Sequence, residues 1–281
     1  MSAERNILEE IAAKTVERVA AAKQEVSLEE MKQRAWDVVK AEQAAGSFPE
    51  IPEQAVFLRA VCDGELSFIC EVKKASPSKG VIAEDFPYLR IAEDYERAGA
   101  AAISVLTEPF WFQGANSYLQ EISQKVSVPV LRKDFTVDEY MIYEAKVIGA
   151  DAVLLICAIL DDNQLRNYGE IAESLGMTAL VEAHDQTEVD RAVAAGARLI
   201  GVNNRDLRTF TVDIHNSIRY RKSVDSRIGF VSESGIRTPE DIAELARNQV
   251  NAVLIGETLM RAPDRVAALH ALRSSHREPI G

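Results

Sequence analysis

Short apolar runs and amphipathic stretches alternate along the chain from about Leu66 to near the C-terminus. The runs are rich in Val, Ile, Leu and Ala, and the stretches between them have helical spacing over ~10–15 residues. The runs cover residues 68–72, 101–106, 128–131, 152–157, 178–181, 199–202, 229–231 and 252–255. Because polar residues do not alternate within them, they are typical of parallel strands covered on both faces. The pattern predicts eight βα units, with the last helix over residues 257–272.

A glycine or an asparagine stands between several of these helices and the strands that follow. Gly99, Gly149, Gly196 and Asn251 stand at such junctions, where a residue in the left-handed conformation ends a helix. The junctions recur every ~50 residues, once for each two βα units. Eight strands with eight helices predict an α/β fold, a (β/α)8 TIM barrel. The alternative is an open doubly wound sheet, which usually has a Gly-rich first turn, and no GxGxxG motif follows any run.

The first part of the chain has helical spacing only. Ile7, Leu8 and Ile11 recur at that spacing, and Ser27 with Glu30 predicts a capping box for a second helix. Gly46 and two prolines then mark a connector. We expect a single domain over residues 1–281, with a helical extension and connector over 1–52 and the barrel over 53–281.

Composition and charge limit the functions that the chain can have. The 281 residues are 47% apolar, which suits one barrel with an extension. The net charge is −12 without a basic stripe, so we expect no nucleic-acid partner. Lacking an apolar run of ~18 residues or a secretory signal, the sequence predicts neither a membrane span nor export. Cys62, Cys70 and Cys157 lack metal-ligand spacing, which favours buried, reduced thiols and a cytoplasmic protein.

Charged or amide side chains stand at the ends of five predicted strands. They are Glu71 and Lys73, Lys133, Glu182, Asn203 and Glu233. In a (β/α)8 barrel the C-terminal strand ends meet at the catalytic face. Burying an unpaired ion costs several kcal/mol, so a group of six such residues indicates one functional site.

Two glycine-containing loops predict a phosphate site at the same face. Ser234 and Gly235 follow the seventh strand, and Gly256 and Glu257 follow the eighth. Backbone N–H groups at such loops and at helix N-termini bind anions, and Lys73 would add a formal positive charge. The loops after strands 7 and 8 are the common phosphate site of this fold. Glycines that only make tight turns are the alternative.

The histidines do not predict a metal site. His184, His215, His270 and His276 show neither HxH nor HExxH spacing. No nucleophile elbow is present, and imine chemistry at Lys73 or Lys133 stays open. We therefore expect no metal site.

Several motifs resemble the indole-3-glycerol-phosphate synthase family. They are EVKKASPSKG at residues 71–80, LRKDF at 131–135, GVNNRDL at 201–207, SESGI at 232–236 and LIGETLM at 254–260. The resemblance covers residues 5–272, and the ExKxxSPS segment is its most specific part. It implies a carboxy-lyase of tryptophan biosynthesis that converts 1-(2-carboxyphenylamino)-1-deoxyribulose 5-phosphate into indole-3-glycerol phosphate, CO2 and water, without cofactor or metal.

The resemblance also implies a role for each matching residue. Lys133 resembles the general acid for ring closure and Glu182 the acid/base for dehydration, for which a pKa raised by partial burial is expected. Glu71 and Asn203 would orient these groups, and Glu233 would hold Lys133 and the substrate hydroxyls. The expected binding residues are Lys73, Ser234, Gly235, Gly256 and Glu257 for the phosphate, Ser76, Ser78 and Arg205 for the carboxylate or a mobile loop, and Phe112, Leu131, Phe135 and Leu154 for the aromatic ring.

The sequence departs from the family pattern at two places. Pro87 replaces the usual Asp of an Asp-Phe-Asp-Pro segment, and we expect it to be the first residue of the next helix. Glu257 stands where some relatives have Ser, and we expect its side chain to turn away from the phosphate. The resemblance further implies that the helical extension lies against the barrel mouth, and we expect a monomer or a weak homo-oligomer.

Two alternatives differ from this prediction in their site residues. A sister enzyme such as phosphoribosylanthranilate isomerase uses a Cys/Asp pair in place of Lys133 and Glu182. A phosphometabolite-binding or scaffold barrel could keep the glycine loops but has no need for three inward glutamates.

Overall fold

The computed structural model describes residues 7–205 and 211–274, in which eight parallel strands form a closed barrel. The strands are β1 (Ser67–Val72), β2 (Ala102–Leu106), β3 (Val130–Lys133), β4 (Ala152–Ile156), β5 (Thr178–Ala183), β6 (Leu199–Asn203), β7 (Gly229–Glu233) and β8 (Ala252–Ile255). They follow one another in sequence around the barrel, and β1 pairs with both β2 and β8. The prediction of a TIM barrel is confirmed. Asp206, Leu207 and His276 lie outside the described residues, and the domain boundary at residue 52 stays a prediction.

The strands have apolar side chains on both faces, as their non-alternating composition predicts. In β1, Ile69 belongs to the core inside the barrel, whereas Phe68 and Cys70 pack in the layer between the barrel and the helices. The same alternation places Glu71 on the inner side, above Ile69. Inward side chains of a barrel fill its interior in layers, so a charged residue near a strand end faces the mouth.

Three α-helices of the described residues precede the first strand of the barrel, and the helices that follow cover its outside. They are α1 (Ile7–Glu25), α2 (Leu28–Ala45), α3 (Val56–Cys62), α4 (Tyr88–Arg97), α5 (Asn116–Ser123), α6 (Glu139–Val147), α7 (Asp162–Ser174), α8 (Gln186–Ala194), α9 (His215–Arg221), α10 (Pro239–Arg247), α11 (Glu257–Met260) and α12 (Arg265–Ser274). A two-stranded hairpin, Ala75–Ser76 with Gly80–Val81, follows β1. None of the described helices is long and apolar enough to span a membrane.

Three predicted helix boundaries differ from the structure. The last helix is divided into α11 and α12 near Pro263, because proline lacks the N–H for a helical hydrogen bond and clashes with the preceding turn. Pro87 caps α4 instead of being its first residue. Asn251 is not left-handed; Gln249 has that conformation, with φ +59°, and the Asn251 side chain accepts a hydrogen bond from Phe230 N at 2.9 Å.

Other predicted boundaries agree with the structure. Gly99, Gly149 and Gly196 have φ values of +86°, +88° and +86°, which favour glycine over residues with a Cβ. The Ser27 hydroxyl accepts from Glu30 N at 3.2 Å at the start of α2. The Glu30 carboxylate binds Arg34 at 2.6 Å, so only the Ser27 half of the capping box forms.

The helical extension lies across the barrel mouth. Ile7, Leu8 and Ile11 of α1 line the cavity there, and Arg18 donates a hydrogen bond of 2.7 Å to Asp134, directly after Lys133. Lys23 forms a second ion pair, 2.7 Å from Asp138. The expectation that the extension lies against the mouth is confirmed.

Candidate active site

A cavity of about 440 Å³ opens at the C-terminal ends of the strands, a size typical of small-molecule sites. It brings together sixteen of the residues expected from the sequence. They are Glu71, Lys73, Ser76, Ser78, Phe112, Lys133, Phe135, Leu154, Glu182, Asn203, Arg205, Glu233, Ser234, Gly235, Gly256 and Glu257. Leu131 is fully buried in the inner core and does not line the cavity, because it lies one inward layer below Lys133 on β3.

Lys133 is at the centre of the charged groups. Its Nζ lies 2.8 Å from Glu182 Oε2 and 3.3 Å from Glu233 Oε2. The four side chains of Glu71, Lys133, Glu182 and Glu233 come from β1, β3, β5 and β7, and alternate strands of a barrel share a layer of inward side chains. Burial by itself lowers the pKa of Lys133, but the nearby carboxylates raise it well above its usual value. Lys133 is therefore a stable ammonium ion.

Glu182 differs from the expectation of a raised pKa. Burial raises the pKa of its carboxyl, but Lys133 and His184 lower it more, so the result lies well below the usual range. Asn203 Nδ2 lies 3.4 Å from Glu182 Oε1 and holds its orientation. Glu182 is thus ionised at neutral pH, and in this state it can accept a proton but has none to donate.

Glu233 is the carboxyl with a raised pKa. Burial and then the charge of Glu182 raise it, while Lys133 opposes them, and the pKa becomes about 7. Its Oε1 is buried and has no hydrogen-bond partner in the described parts of the chain. Glu233 can therefore hold a proton near neutral pH.

His184 is a charged neighbour of Glu182 that the sequence did not indicate. Its Nε2 lies 3.3 Å from Glu182 Oε1, and its Nδ1 lies 3.0 Å from Glu188 Oε2. Burial lowers the pKa of the imidazole, but the two carboxylates raise it to about 10. The sequence signal that could have indicated this contact is the position of His184 two residues after Glu182, since side chains at i and i+2 of a strand share a face.

Two glycines make room for the charged groups. A Cβ on Gly201 would overlap Glu233 Oε1, and a Cβ on Gly256 would overlap Glu71 Oε1 and crowd Lys73 Nζ. Glu71 and Lys73 form an ion pair with each other beside Gly256. Gly256 therefore has a steric role in addition to the backbone N–H expected of it.

The two loops expected to bind phosphate are joined by a hydrogen bond. Ser234 and Gly235 have left-handed φ values of +68° and +87°, and the Asn204 side chain donates to Ser234 O at 3.1 Å. The hydroxyl of Thr258 donates to Ile236 O at 2.9 Å and connects the loop after β7 with the loop after β8. These contacts hold the backbone of both loops at one side of the cavity.

Glu257 is surrounded by cations at the cavity rim. Its carboxylate lies 3.2 Å from Arg261 Nε and 3.9 Å from both Lys79 Nζ and Arg205 Nη2. Its charge is compensated there, and the expectation that it avoids the phosphate stays a prediction. Arg261 also lines the cavity, although no motif or spacing in the sequence indicated this residue.

Apolar side chains form the other side of the cavity. The rings of Phe112 and Phe135 have centroids 6.2 Å apart at an angle of 43°, and Leu154 is close to them in the same lining. Ile7, Leu8 and Ile11 of α1 complete this side, as do Leu106 and Ile156. The amphipathic pattern of α1 predicts a buried face, but it does not say that the face is directed at a cavity.

Within residues 7–205 and 211–274, no group of three or more His, Cys, Asp or Glu side chains is arranged to hold a metal ion. Cys70 and Cys157 are buried free thiols and Cys62 is half-buried. Burial raises the pKa of Cys62 to about 11, so this thiol is not activated.

The closed barrel and the buried Lys–Glu cluster at the C-terminal ends of its strands together define a (β/α)8-barrel enzyme. A family model described as indole-3-glycerol phosphate synthase matches residues 8–272. The chain belongs to this family. The prediction of a ring-closing lyase of tryptophan biosynthesis is thereby confirmed and is favoured over the isomerase alternative.

Curated relatives agree with this assignment, and a solved structure agrees with the fold. The indole-3-glycerol phosphate synthase of Ruminiclostridium cellulolyticum is 57% identical over 269 residues, which are 96% of this chain and 99% of the relative. That of Lacticaseibacillus casei is 51% identical over 267 residues, with coverages of 95% and 98%. The crystal structure of 3-hexulose-6-phosphate synthase from Salmonella typhimurium has a TM-score of 0.62 at 15% identity and covers 75% of this chain and 98% of its own. At that identity the likeness shows the fold alone.

Proposed function

We propose that the cavity catalyses ring closure, decarboxylation and dehydration of 1-(2-carboxyphenylamino)-1-deoxyribulose 5-phosphate, with Lys133 and Glu182 as the principal catalytic residues. The observation that carries this proposal is the position of Lys133 Nζ, 2.8 Å from Glu182 and 3.3 Å from Glu233. An ammonium group that is already ordered by carboxylates is preorganised to stabilise developing negative charge.

Ring closure forms a bond between the aromatic carbon that carries the carboxylate and the ketone carbon. Lys133 donates a proton to the ketone oxygen, and CO2 then leaves as its bonding electrons restore the aromatic ring. In the dehydration step the resulting hydroxyl group leaves as water with a proton that Glu233 supplies, and a carbon-bound proton passes to Glu182 as the base. The ionised state of Glu182 supports its role as this base, and Glu233 is suited to exchange protons near pH 7.

Two subsites would hold the substrate during these steps. Lys73 and the backbone N–H groups near Ser234, Gly235 and Gly256 are proposed to bind the phosphate. Phe112, Phe135 and Leu154 would contact the aromatic ring, and Ser76, Ser78 and Arg205 would meet the carboxylate or its covering loop. Glu71 and Asn203 would orient Lys73 and Glu182, as their contacts support.

The proposal extends to the setting in which the enzyme works. We propose a single-domain cytoplasmic enzyme that acts on a phosphorylated small molecule as a monomer or weak homo-oligomer, without metal or cofactor. Sedimentation at micromolar concentration tests the oligomeric state, and activity after prolonged chelation tests the need for a metal.

A direct assay tests the reaction. The purified protein is incubated with the carboxyphenylamino-deoxyribulose phosphate, and indole fluorescence is followed. We expect an increase that depends on enzyme concentration and is lost in Lys133→Ala. Absence of fluorescence at every enzyme concentration, together with turnover of phosphoribosylanthranilate, would favour the isomerase.

A further inference from the structure

The loop between β2 and α5 is organised around one buried carboxylate. Glu108 is 1% exposed. Its Oε1 accepts a hydrogen bond from Phe110 N at 2.9 Å, and its Oε2 accepts from Trp111 N at 2.8 Å and Phe112 N at 2.9 Å. Three successive backbone N–H groups therefore converge on one side chain. No lysine or arginine of the described residues forms an ion pair with it, so these N–H groups compensate its charge.

Two further contacts fix the position of this loop relative to the barrel. Gly114 N donates to Glu108 O at 2.8 Å, and a Cβ on Gly114 would overlap the carbonyl oxygen of Leu106. The loop thus folds back closely against the end of β2. Phe112 O accepts from Ala75 N at 3.2 Å, so the same loop also supports the segment that contains Ser76.

Glu108 does not line the cavity, whereas Phe112 does. The Phe112 backbone is held on one side by the carboxylate of Glu108 and on the other by Ala75. Its ring faces Phe135 at a centroid distance of 6.2 Å. A shift of the Phe112 backbone would therefore move one of the two aromatic walls of the cavity.

We propose that Glu108 is a positioning residue for substrate binding, which acts by fixing Phe112 against the cavity. This inference rests on the proposed role of Phe112 in contacting the aromatic ring of the substrate. Glu108 acts on binding through the loop backbone and has no direct part in proton transfer. Its removal should thus raise KM more than it lowers kcat, which is the behaviour expected when binding common to the ground state and the transition state is lost.

Glu108→Gln is the appropriate variant because it preserves the volume of the side chain. The amide retains one acceptor oxygen, but its NH2 group would face a backbone N–H donor, so at least one hydrogen bond is lost. Loss of a hydrogen bond to a charged group corresponds to about a tenfold change or more in an equilibrium, and we expect KM to rise by about tenfold. The matched control is Glu121→Gln, since Glu121 is an exposed residue of α5 whose carboxylate binds the Tyr88 hydroxyl.

A double-mutant cycle separates positioning from a general loss of stability. If Glu108 acts through Phe112, the KM effect of Glu108→Gln should largely disappear in a Phe112→Ala background. Two results would overturn the role of Glu108 and leave that of Phe112 intact. One is that the two substitutions have additive effects on KM. The other is that KM is raised in Phe112→Ala but unchanged in Glu108→Gln. An unchanged KM in Phe112→Ala alone would overturn both assignments.

Tryptophan fluorescence reports the loop directly, without any assay of activity. The chain has two tryptophans, Trp36 and Trp111, so Trp36→Phe leaves only the indole of the loop. In that background we expect Glu108→Gln to shift the emission of Trp111 to longer wavelength while the far-ultraviolet circular dichroism is unchanged. An unchanged emission spectrum would contradict the proposal, because the loop would then keep its structure without the carboxylate.

Discussion

Lys133 Nζ lies 2.8 Å from Glu182 Oε2, and the two side chains are only 13% and 4% exposed. The residues come from β3 and β5 and are separated by 49 positions in the chain. At such low exposure each charge stabilises the other strongly, because little water screens them. The acid and the base of the proposed reaction are therefore kept in opposite ionisation states before substrate binds.

Removal of either partner should abolish most of the turnover. We expect Lys133→Ala and Glu182→Gln each to reduce kcat by about a hundredfold or more, the usual range for general acid–base catalysis. Steady-state kinetics of the purified variants measures this effect. Lys125→Ala is the control, since Lys125 forms an exposed ion pair with Glu93 and should retain wild-type kinetics. Near-wild-type kcat in either site variant would refute the assigned roles.

The raised pKa of Glu233 predicts how stability depends on pH. A carboxyl with a pKa of about 7 in the folded state and about 4.5 when unfolded binds more protons when folded between these values. Its stabilising contribution is complete below about pH 4.5 and is lost as the pH rises through 7. Glu233→Gln should thus gain stability relative to the wild type between pH 5 and pH 8, by an amount on the order of 3 kcal/mol. Urea unfolding of both proteins at pH 5 and at pH 8 measures this change in the free energy of unfolding. If the variant and the wild type differ in that free energy by the same amount at both pH values, the prediction is wrong.

His184 should affect the pH dependence of catalysis through Glu182. Its imidazolium lies 3.3 Å from that carboxylate and is one of the charges that lower its pKa. In His184→Gln the pKa of Glu182 should rise, so the acidic limb of kcat/KM should move to higher pH. His215→Gln is the matched control, because His215 is an exposed residue paired with Asp213. If the acidic limb of His184→Gln coincides with that of the wild type, the coupling to Glu182 is absent.

A methyl group at position 256 should displace the charged side chains beside Gly256. In Gly256→Ala the Cβ would overlap Glu71 and crowd Lys73, which displaces the cation proposed to bind the phosphate. We expect a rise in KM of about tenfold or more, since a charged contact to an anion is weakened. Gly169→Ala provides the control, because a Cβ in the middle of α7 meets nothing within 4 Å, and that variant should be stabilised by about 0.5–1 kcal/mol. Equal KM values in both variants would rule out the steric role of Gly256.

The alternation of side chains along a strand was sufficient to predict which residues of the site share a face. Side chains alternate along a strand, so the positions of Glu71 and Lys73 on one face followed from their spacing, as did the inward direction of Lys133 and Glu182. It was not sufficient for Leu131, which shares the face of Lys133 but lies one layer deeper. Alternation determines the face of a residue and leaves its depth in the barrel open.

The sequence by itself determined the eight-stranded barrel, several of its helix ends and the charged residues at its strand ends, because periodicity and chain-reversing residues act over a few neighbouring positions. Only the tertiary structure decided the protonation states. The pKa of Glu182 is lowered and that of Glu233 is raised by charges and burial that residues distant in the chain supply. The same holds for Ile7, Leu8 and Ile11 in the cavity lining and for His184 beside Glu182, since a distance between elements is fixed only when the barrel closes.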